Sequence, residues 1–109
     1  MYKIQKRLEI AGSHCLGLSY DSKCNQIHGH NWIITVFCRT DELNENDMVA
    51  DFANIKKQIH DKLDHQHLND ILPFRTTAEN IAKWIVDTVE NCYRADVQES
   101  EGNIASYEI

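Results

Sequence analysis

Seven residues of this chain hold a thiol and two imidazoles: Cys24-Asn25-Gln26-Ile27-His28-Gly29-His30. His28 and His30 are two apart, so they share a face only where the backbone is extended. The run that follows, Asn31-Trp32-Ile33-Ile34-Thr35-Val36-Phe37-Cys38, is rich in β-branched and aromatic residues and predicts a strand from about His28 to Thr40. Two imidazoles side by side on a strand are half of a metal site. A third would complete a three-histidine zinc centre with one open position, as catalytic rather than structural zinc requires. His14 is the candidate, because it ends the preceding strand and an antiparallel pairing brings it beside His28 and His30. Zinc there acts as a Lewis acid and lowers the pKa of a bound hydroxyl. Cys24 has three readings from pattern alone: a fourth ligand that closes a structural zinc, a nucleophile or base, or an inert thiol.

Asp64-His65 is a second constellation. A carboxylate next to an imidazole can orient it and tune its proton affinity, as a general acid–base pair needs. The plainer reading is a solvated helix end whose dipole favours histidine. His67 follows two residues on, which makes a second metal with His65 conceivable, and His60 lies within the helix as a surface residue. Glu99, at the end of a strand, is either a surface group or an anchor for paired N–H donors of a heterocycle.

The elements that must position these groups can be read in order. Tyr2, Ile4, Leu8 and Ile10 alternate with polar residues and predict a half-buried strand, which Ala11-Gly12-Ser13-His14 continues or turns away from. Gly17 to Asn25 reads as loop. Asp51 caps a helix whose apolar stripe is Phe52, Ile55, Ile59 and Leu63, and the polar run from Asp64 to Asp70 ends it. Thr76-Thr77-Ala78-Glu79 has the capping-box form, Thr at the N-cap and Glu at N3, opening a helix with Ile81, Ile85, Val89 and Cys92 that runs to about Tyr93. Two short strands, Ala95 to Glu99 and Ile104 to Ile109, close the chain around a turn at Ser100-Glu101-Gly102-Asn103. The order β-β-α-α-β-β predicts a single α+β domain over residues 1–109, with a four-stranded antiparallel sheet and both helices on one face. The second strand is apolar on both faces, so its outer face is expected to be covered by other subunits.

Composition narrows the class. The net charge of −6 argues against a nucleic-acid partner. No apolar run is long enough to span a bilayer and the first residues carry no apolar signal region, so no membrane role and a cytoplasmic location are expected. In a reducing compartment Cys15, Cys24, Cys38 and Cys92 stay free thiols, most of them packing residues.

Taken together, His14, Cys24-x-x-x-His28-Gly29-His30-Asn31, Met48-Val49-x-Asp51-Phe52, Leu63-Asp64-His65-x-x-Leu68-Asn69, Thr77-Ala78-Glu79-Asn80, Glu99 and Tyr107 resemble the 6-pyruvoyltetrahydropterin synthase family, which includes 6-carboxytetrahydropterin synthase of queuosine biosynthesis. The resemblance implies the tunnelling fold, assembled as a hexamer of two stacked trimers with active sites between subunits. It implies zinc on His14, His28 and His30, Cys24 as catalytic base, and Asp64 with His65 as the relay for a second proton. Glu99 becomes the pterin anchor, with Thr77 and Glu79 shaping its pocket. The implied substrate is 7,8-dihydroneopterin triphosphate. The implied product is 6-carboxy-5,6,7,8-tetrahydropterin with acetaldehyde and triphosphate; the other family product keeps the three-carbon side chain. A pterin- or purine-binding relative with a structural zinc and no turnover is the third reading. The chain departs from the family's usual Phe-x-Ala-Ala-His-Arg at Ile10-Ala11-Gly12-Ser13-His14-Cys15, and it has Ser100 where Thr is usual.

Overall fold

The structure, a computed structural model, describes all 109 residues. Its frame is a long antiparallel pair, β1 (Tyr2–His14) and β2 (His28–Thr40). The two are in register from Tyr2 opposite Thr40 to His14 opposite His28. Even-numbered residues of both strands face inward: Leu8, Ile10, Trp32, Ile34, Val36 and Cys38 are buried. This is the period-two pattern of a sheet with one face on a core.

The rest of the chain packs on that face. Helix α1 (Phe52–Leu63) follows the Asp51 cap, whose Oδ1 accepts from Ala53 N at 2.8 Å, and buries Ile55, Ile59 and Leu63. Phe52, placed by spacing on the same stripe, is exposed. Helix α3 (Ala78–Thr88) buries Ile81, Ala82, Ile85 and Val86. Strands β4 (Cys92–Ser100) and β5 (Asn103–Glu108) complete the antiparallel part, with Ala95 and Val97 buried opposite Val36 and Ile34.

Four details differ from the sequence reading, each for a local reason. The sheet has five strands in the order β3-β1-β2-β4-β5, because Gln66–His67 forms β3, a two-residue strand parallel to Gly12 and Ser13. A one-turn helix, α2 (Leu68–Ile71), follows it and buries Leu68 against Gly12. A Cβ at Gly12 would stand 3.3 Å from the Leu68 side chain, so the glycine permits that close approach. Helix α3 stops at Thr88, and Asn91, with φ of 59°, turns the chain into β4. Cys92 therefore sits opposite Cys38 in the sheet; its spacing from Val89 mimics a helical stripe. The N-cap of α3 is Thr77, whose Oγ1 accepts from Asn80 N at 3.2 Å, so the cap is one residue later than the Thr76–Glu79 spacing indicates. Thr76 is occupied elsewhere.

No helix is long and apolar enough to cross a membrane. All four cysteines are free thiols, and Cys38 and Cys92 are buried among apolar side chains.

Candidate active site

The β1–β2 register delivers the three imidazoles to one end of the sheet. His14 and His28 are direct cross-strand partners, and His30 pairs with Gly12 on the same inward face. Ring centroids are 4.6 Å apart for His14–His28, 4.8 Å for His28–His30 and 5.3 Å for His14–His30. Trp32 closes the floor 4.8 Å from His14, and its indole N–H donates to Gly12 O at 3.1 Å.

Two of the rings are aimed by backbone carbonyls. His14 Nδ1 lies 2.8 Å from Thr76 O, and His28 Nδ1 lies 2.7 Å from Gln26 O. A carbonyl only accepts, so each Nδ1 carries the proton and each Nε2 keeps a lone pair, as in histidines that ligate metals. His14 Nε2 and His30 Nε2 are buried with no hydrogen-bond partner. Glu99 Oε1 lies 3.0 Å from His30 Nε2 but out of line for an N–H···O bond. The ligand atoms of His14, His28, His30 and Glu99 all lie within 4.8 Å of one another. Orphaned, inward-aimed donors of this kind fit a borderline metal ion such as zinc.

Burial holds the His14 imidazole below the ordinary histidine range, against the opposing pull of its Thr76 bond. Between that depressed value and the ordinary 6.5, the unfolded chain binds the extra proton and the folded chain does not. Stability of the metal-free protein is therefore expected to fall as pH drops below about 6.5, by at most about 1.4 kcal/mol per unit for this one group. Urea unfolding at pH 7.5 and 5.5 measures it, and H14Q should flatten the slope.

Cys24 sits on a short 3-10 turn, Lys23–Asn25, capped by Ser22 Oγ, which accepts from Cys24 N at 3.1 Å. The turn places it, half-buried, in a cavity of about 430 Å³ lined also by His28, His30 and Glu99. The thiol is not a member of the metal-ligand cluster.

The family model for 6-pyruvoyl tetrahydropterin synthase matches residues 3–109. The chain belongs to the 6-pyruvoyl tetrahydropterin synthase family. It is 28% identical to 6-carboxy-5,6,7,8-tetrahydropterin synthase of Bacillus subtilis over 82% of this chain and 66% of that one. It is 27% identical to human 6-pyruvoyl tetrahydrobiopterin synthase over 96% and 90% of the two chains. The solved structure of Caenorhabditis elegans 6-pyruvoyl tetrahydropterin synthase superposes with a TM-score of 0.75 at 25% identity, covering 99% of this chain and 95% of that one. The tunnelling fold of this synthase family is thus the fold described above.

Within this member of the synthase family, the remaining candidates fall into two places. Glu79, in the first turn of α3, and Glu99 line a neighbouring cavity of about 300 Å³ with Gly102 and Asn103. Thr77 is committed to the helix cap at the edge of that region. Asp64 and His65 lie on the other flank of β1. Asp64 Oδ1 accepts from Ala11 N at 2.9 Å, and His65 N donates to Ala11 O at 2.7 Å. His65, at φ 59°, makes the turn from α1 into β3. Its Nε2 is 3.5 Å from Asp64 Oδ2, and its side chain is 83% exposed. Asp64 Oδ2 is also 3.7 Å from His60 Nε2, so the carboxylate stands between two imidazoles. His65 lines a separate cavity that shares only His30 with the one around Cys24. His67 forms no metal cluster; its Nδ1 pairs with Ser13 Oγ at 2.9 Å.

Sequence reasoning missed the brace that holds the two halves of the site together. Asn69 accepts from Cys15 N at 3.0 Å and donates to Cys15 O at 2.8 Å. Arg75 donates from Nε to Leu16 O at 3.0 Å and from Nη2 to Gly17 O at 3.3 Å. Leu16 N in turn donates to Cys24 O at 2.8 Å. The segment after His14 is thereby tied both to the thiol's turn and to Thr76, which aims His14. The family's usual Arg after the first His is absent, and Arg75 brings a guanidinium to the same stretch from the α2–α3 connection. R75A is expected to lower kcat about tenfold or more at unchanged metal content, since small misplacements of a reacting group are costly. R75K should not rescue it, because an ammonium cannot reproduce the two-pronged contact. Steady-state kinetics with metal analysis measure both.

Proposed function

We propose that the chain is a zinc-dependent lyase of 7,8-dihydroneopterin triphosphate. With one water consumed, its products are 6-carboxy-5,6,7,8-tetrahydropterin, acetaldehyde and triphosphate, in the cytoplasmic route to queuosine. The observation that carries this reading is a cavity lined by Cys24, His28, His30 and Glu99, at the edge of an imidazole cluster whose His14 and His30 Nε2 atoms have no hydrogen-bond partner and which leaves the thiol outside it. His14, His28 and His30 would hold zinc, which when bound supplies Lewis-acid polarisation of the substrate's side-chain hydroxyls and so acidifies the adjacent carbon. Cys24 takes the proton from that carbon as general base. Glu99 accepts from the ring N–H and exocyclic amine, a bidentate charge-assisted contact, with Glu79 and the start of α3 around Thr77 shaping the ring's pocket.

Asp64 and His65 move the second proton from a neighbouring subunit. Their position across β1 from Cys24 supports this, since within one chain His65 and Cys24 line different cavities. The outer sheet face adds support: Ile33 and Phe37 are only half-buried there, as expected of a face covered in a homohexamer of two trimers. Light scattering should give a six-chain mass.

The match to the human 6-pyruvoyl relative over most of both chains favours one alternative, elimination of triphosphate with the side chain kept. Incubating the zinc-loaded protein with 7,8-dihydroneopterin triphosphate and separating products by mass decides between them. Acetaldehyde with a carboxypterin supports the lyase; a pyruvoyl pterin supports the alternative; no consumption overturns both in favour of a non-catalytic pterin- or purine-binding protein.

A further inference from the structure

Two buried thiols take no part in the chemistry above. Cys38, near the end of β2, lies directly opposite Cys92, the first residue of β4. A β-bulge sets that pairing. Phe37 faces Arg94 and Cys38 faces Cys92, so Tyr93 is the extra residue. Strict alternation would put Cys92 on the same face as Arg94. The bulge re-aims it inward, beside Cys38, and both are buried. Cys92 N turns away to Val89 O at 3.2 Å, and the ladder bond beyond the pair runs from Arg39 N to Asn91 O at 2.9 Å. Cys38 and Cys92 are thus a non-hydrogen-bonded pair, the class whose Cα atoms stand about 4.5 Å apart with their side chains closest. A disulfide needs Cα atoms roughly 4.4–6.8 Å apart and Cβ atoms on the same side, and this register satisfies both. The two thiols are not equivalent. Cys38 is fully enclosed, whereas Cys92 is 6% exposed. The Cys92 thiol beside it, together with burial, pushes Cys38 up, while the Cys38 thiol draws Cys92 below the ordinary thiol range. Cys92 is therefore the readier thiolate, with its bond to Arg94 O at 3.3 Å to give up on ionising.

We propose that Cys38 and Cys92 are an oxidant-responsive dithiol, which hydrogen peroxide converts to a cross-strand disulfide and a dithiol reductant restores. Cys92 Sγ, as thiolate, attacks one peroxide oxygen. The O–O bond breaks, hydroxide leaves and takes up the thiol's proton as water, and a sulfenic acid remains. Cys38 Sγ then attacks the sulfenic sulfur. The S–O bond breaks, a second water leaves with the Cys38 proton, and the S–S bond forms. The two sulfurs together lose two electrons, and one peroxide is reduced to two waters. An external dithiol reverses the change by exchange, becoming the disulfide itself. The new bond closes a loop that carries α1, α2 and α3, so it stabilises mainly by restricting the unfolded chain. It lies about 34 Å along β2 from His28, so the imidazole cluster is left as it is. The inference is independent of the pterin reading.

The test treats the folded, zinc-loaded full chain with hydrogen peroxide and then blocks the remaining thiols with iodoacetamide. Digestion without reduction and tandem mass spectrometry locate any bond. The expected product is a Cys38–Cys92 link within one chain, with the loss of two hydrogens, reversed by dithiothreitol. The unfolding midpoint of the treated wild type should rise by about 10 °C over its dithiothreitol-reduced form. C92A given the same treatment should show neither the link nor the rise, which removes any contribution from oxidation of Cys15 or Cys24. Oxidation of Cys15 or Cys24 with Cys38 and Cys92 still unlinked overturns the proposal. So does a link that forms only in urea, or one that joins two chains. Should C92A fail to fold, C38A takes its place as the control, and the position of the bond in the wild type decides without either.

Discussion

Replacing Cys24 by Ala is expected to lower turnover by about 10²- to 10⁴-fold, the range for loss of a general base, while each chain keeps one metal ion. The two halves of that result come from separate features. The metal should stay because the ligand atoms gather from His14, His28, His30 and Glu99 without the thiol. The fold should stay because these bonds use only the main chain of Cys24: Cys24 N to Ser22 Oγ and Leu16 N to Cys24 O survive the substitution. Turnover should collapse because the thiol is the nucleophilic group that lines the cavity outside the ligand cluster, and its truncation leaves the lining otherwise intact. Kinetics beside metal analysis of the same sample make the measurement. Loss of metal along with the thiol would instead favour a closed structural zinc in a scaffold or binding protein.

Those groups were legible in the sequence because strand periodicity is local. His28 and His30 at i and i+2 on a β-branched run must share a face, and a sequential antiparallel partner brings His14 to them; the register pairs His14 with His28. What periodicity could not reach were partners set by tertiary approach. Thr76 looked like the cap of α3, but Thr77 takes the cap and leaves Thr76, fully buried, to aim His14. Arg75 and Asn69 contact residues more than fifty positions away, so no local pattern marks them; the missing Arg after His14 was the only hint. Glu99 was placed by resemblance at the ring, whereas its position against His30 depends on where β4 meets the end of β2. Strand β3 was hidden for a different reason. Two residues are too few for an alternating pattern, and their pairing to β1 depends on the left-handed turn at His65. Asp64 and His65 were readable as a pair, but not their distance from Cys24, which the topology sets by putting β1 between them.

Chelating the metal is expected to abolish turnover and lower the melting temperature without unfolding the chain. The core that carries the fold is apolar and separate from the ligands: Trp32, Ile34, Val36, Ile55, Ile59, Ile81 and Ile85 are buried independently of any ion. Metal binding therefore adds stability by mass action, about 4 kcal/mol at a thousandfold excess over Kd, and removing the ion withdraws that amount and no more. Circular dichroism should keep its native form, and zinc should restore activity. The ligand variants then separate two contributions that chelation mixes. H14A and H28A should both lose the metal, but they should differ in the metal-free state. His14 is fully buried, packed on Trp32 and bonded to Thr76, so its removal leaves a void and an unpaired buried carbonyl. That costs about 2–4 kcal/mol. His28 is half-buried at the mouth of the site and gives up one bond to a solvent-accessible carbonyl. Its truncation should cost about 1 kcal/mol or less. Unfolding of the two chelated variants against chelated wild type measures the difference. Equal losses would mean that His14 holds the end of β1 no better than His28 holds the start of β2, and the structural half of its role would fall while its place among the ligands stood.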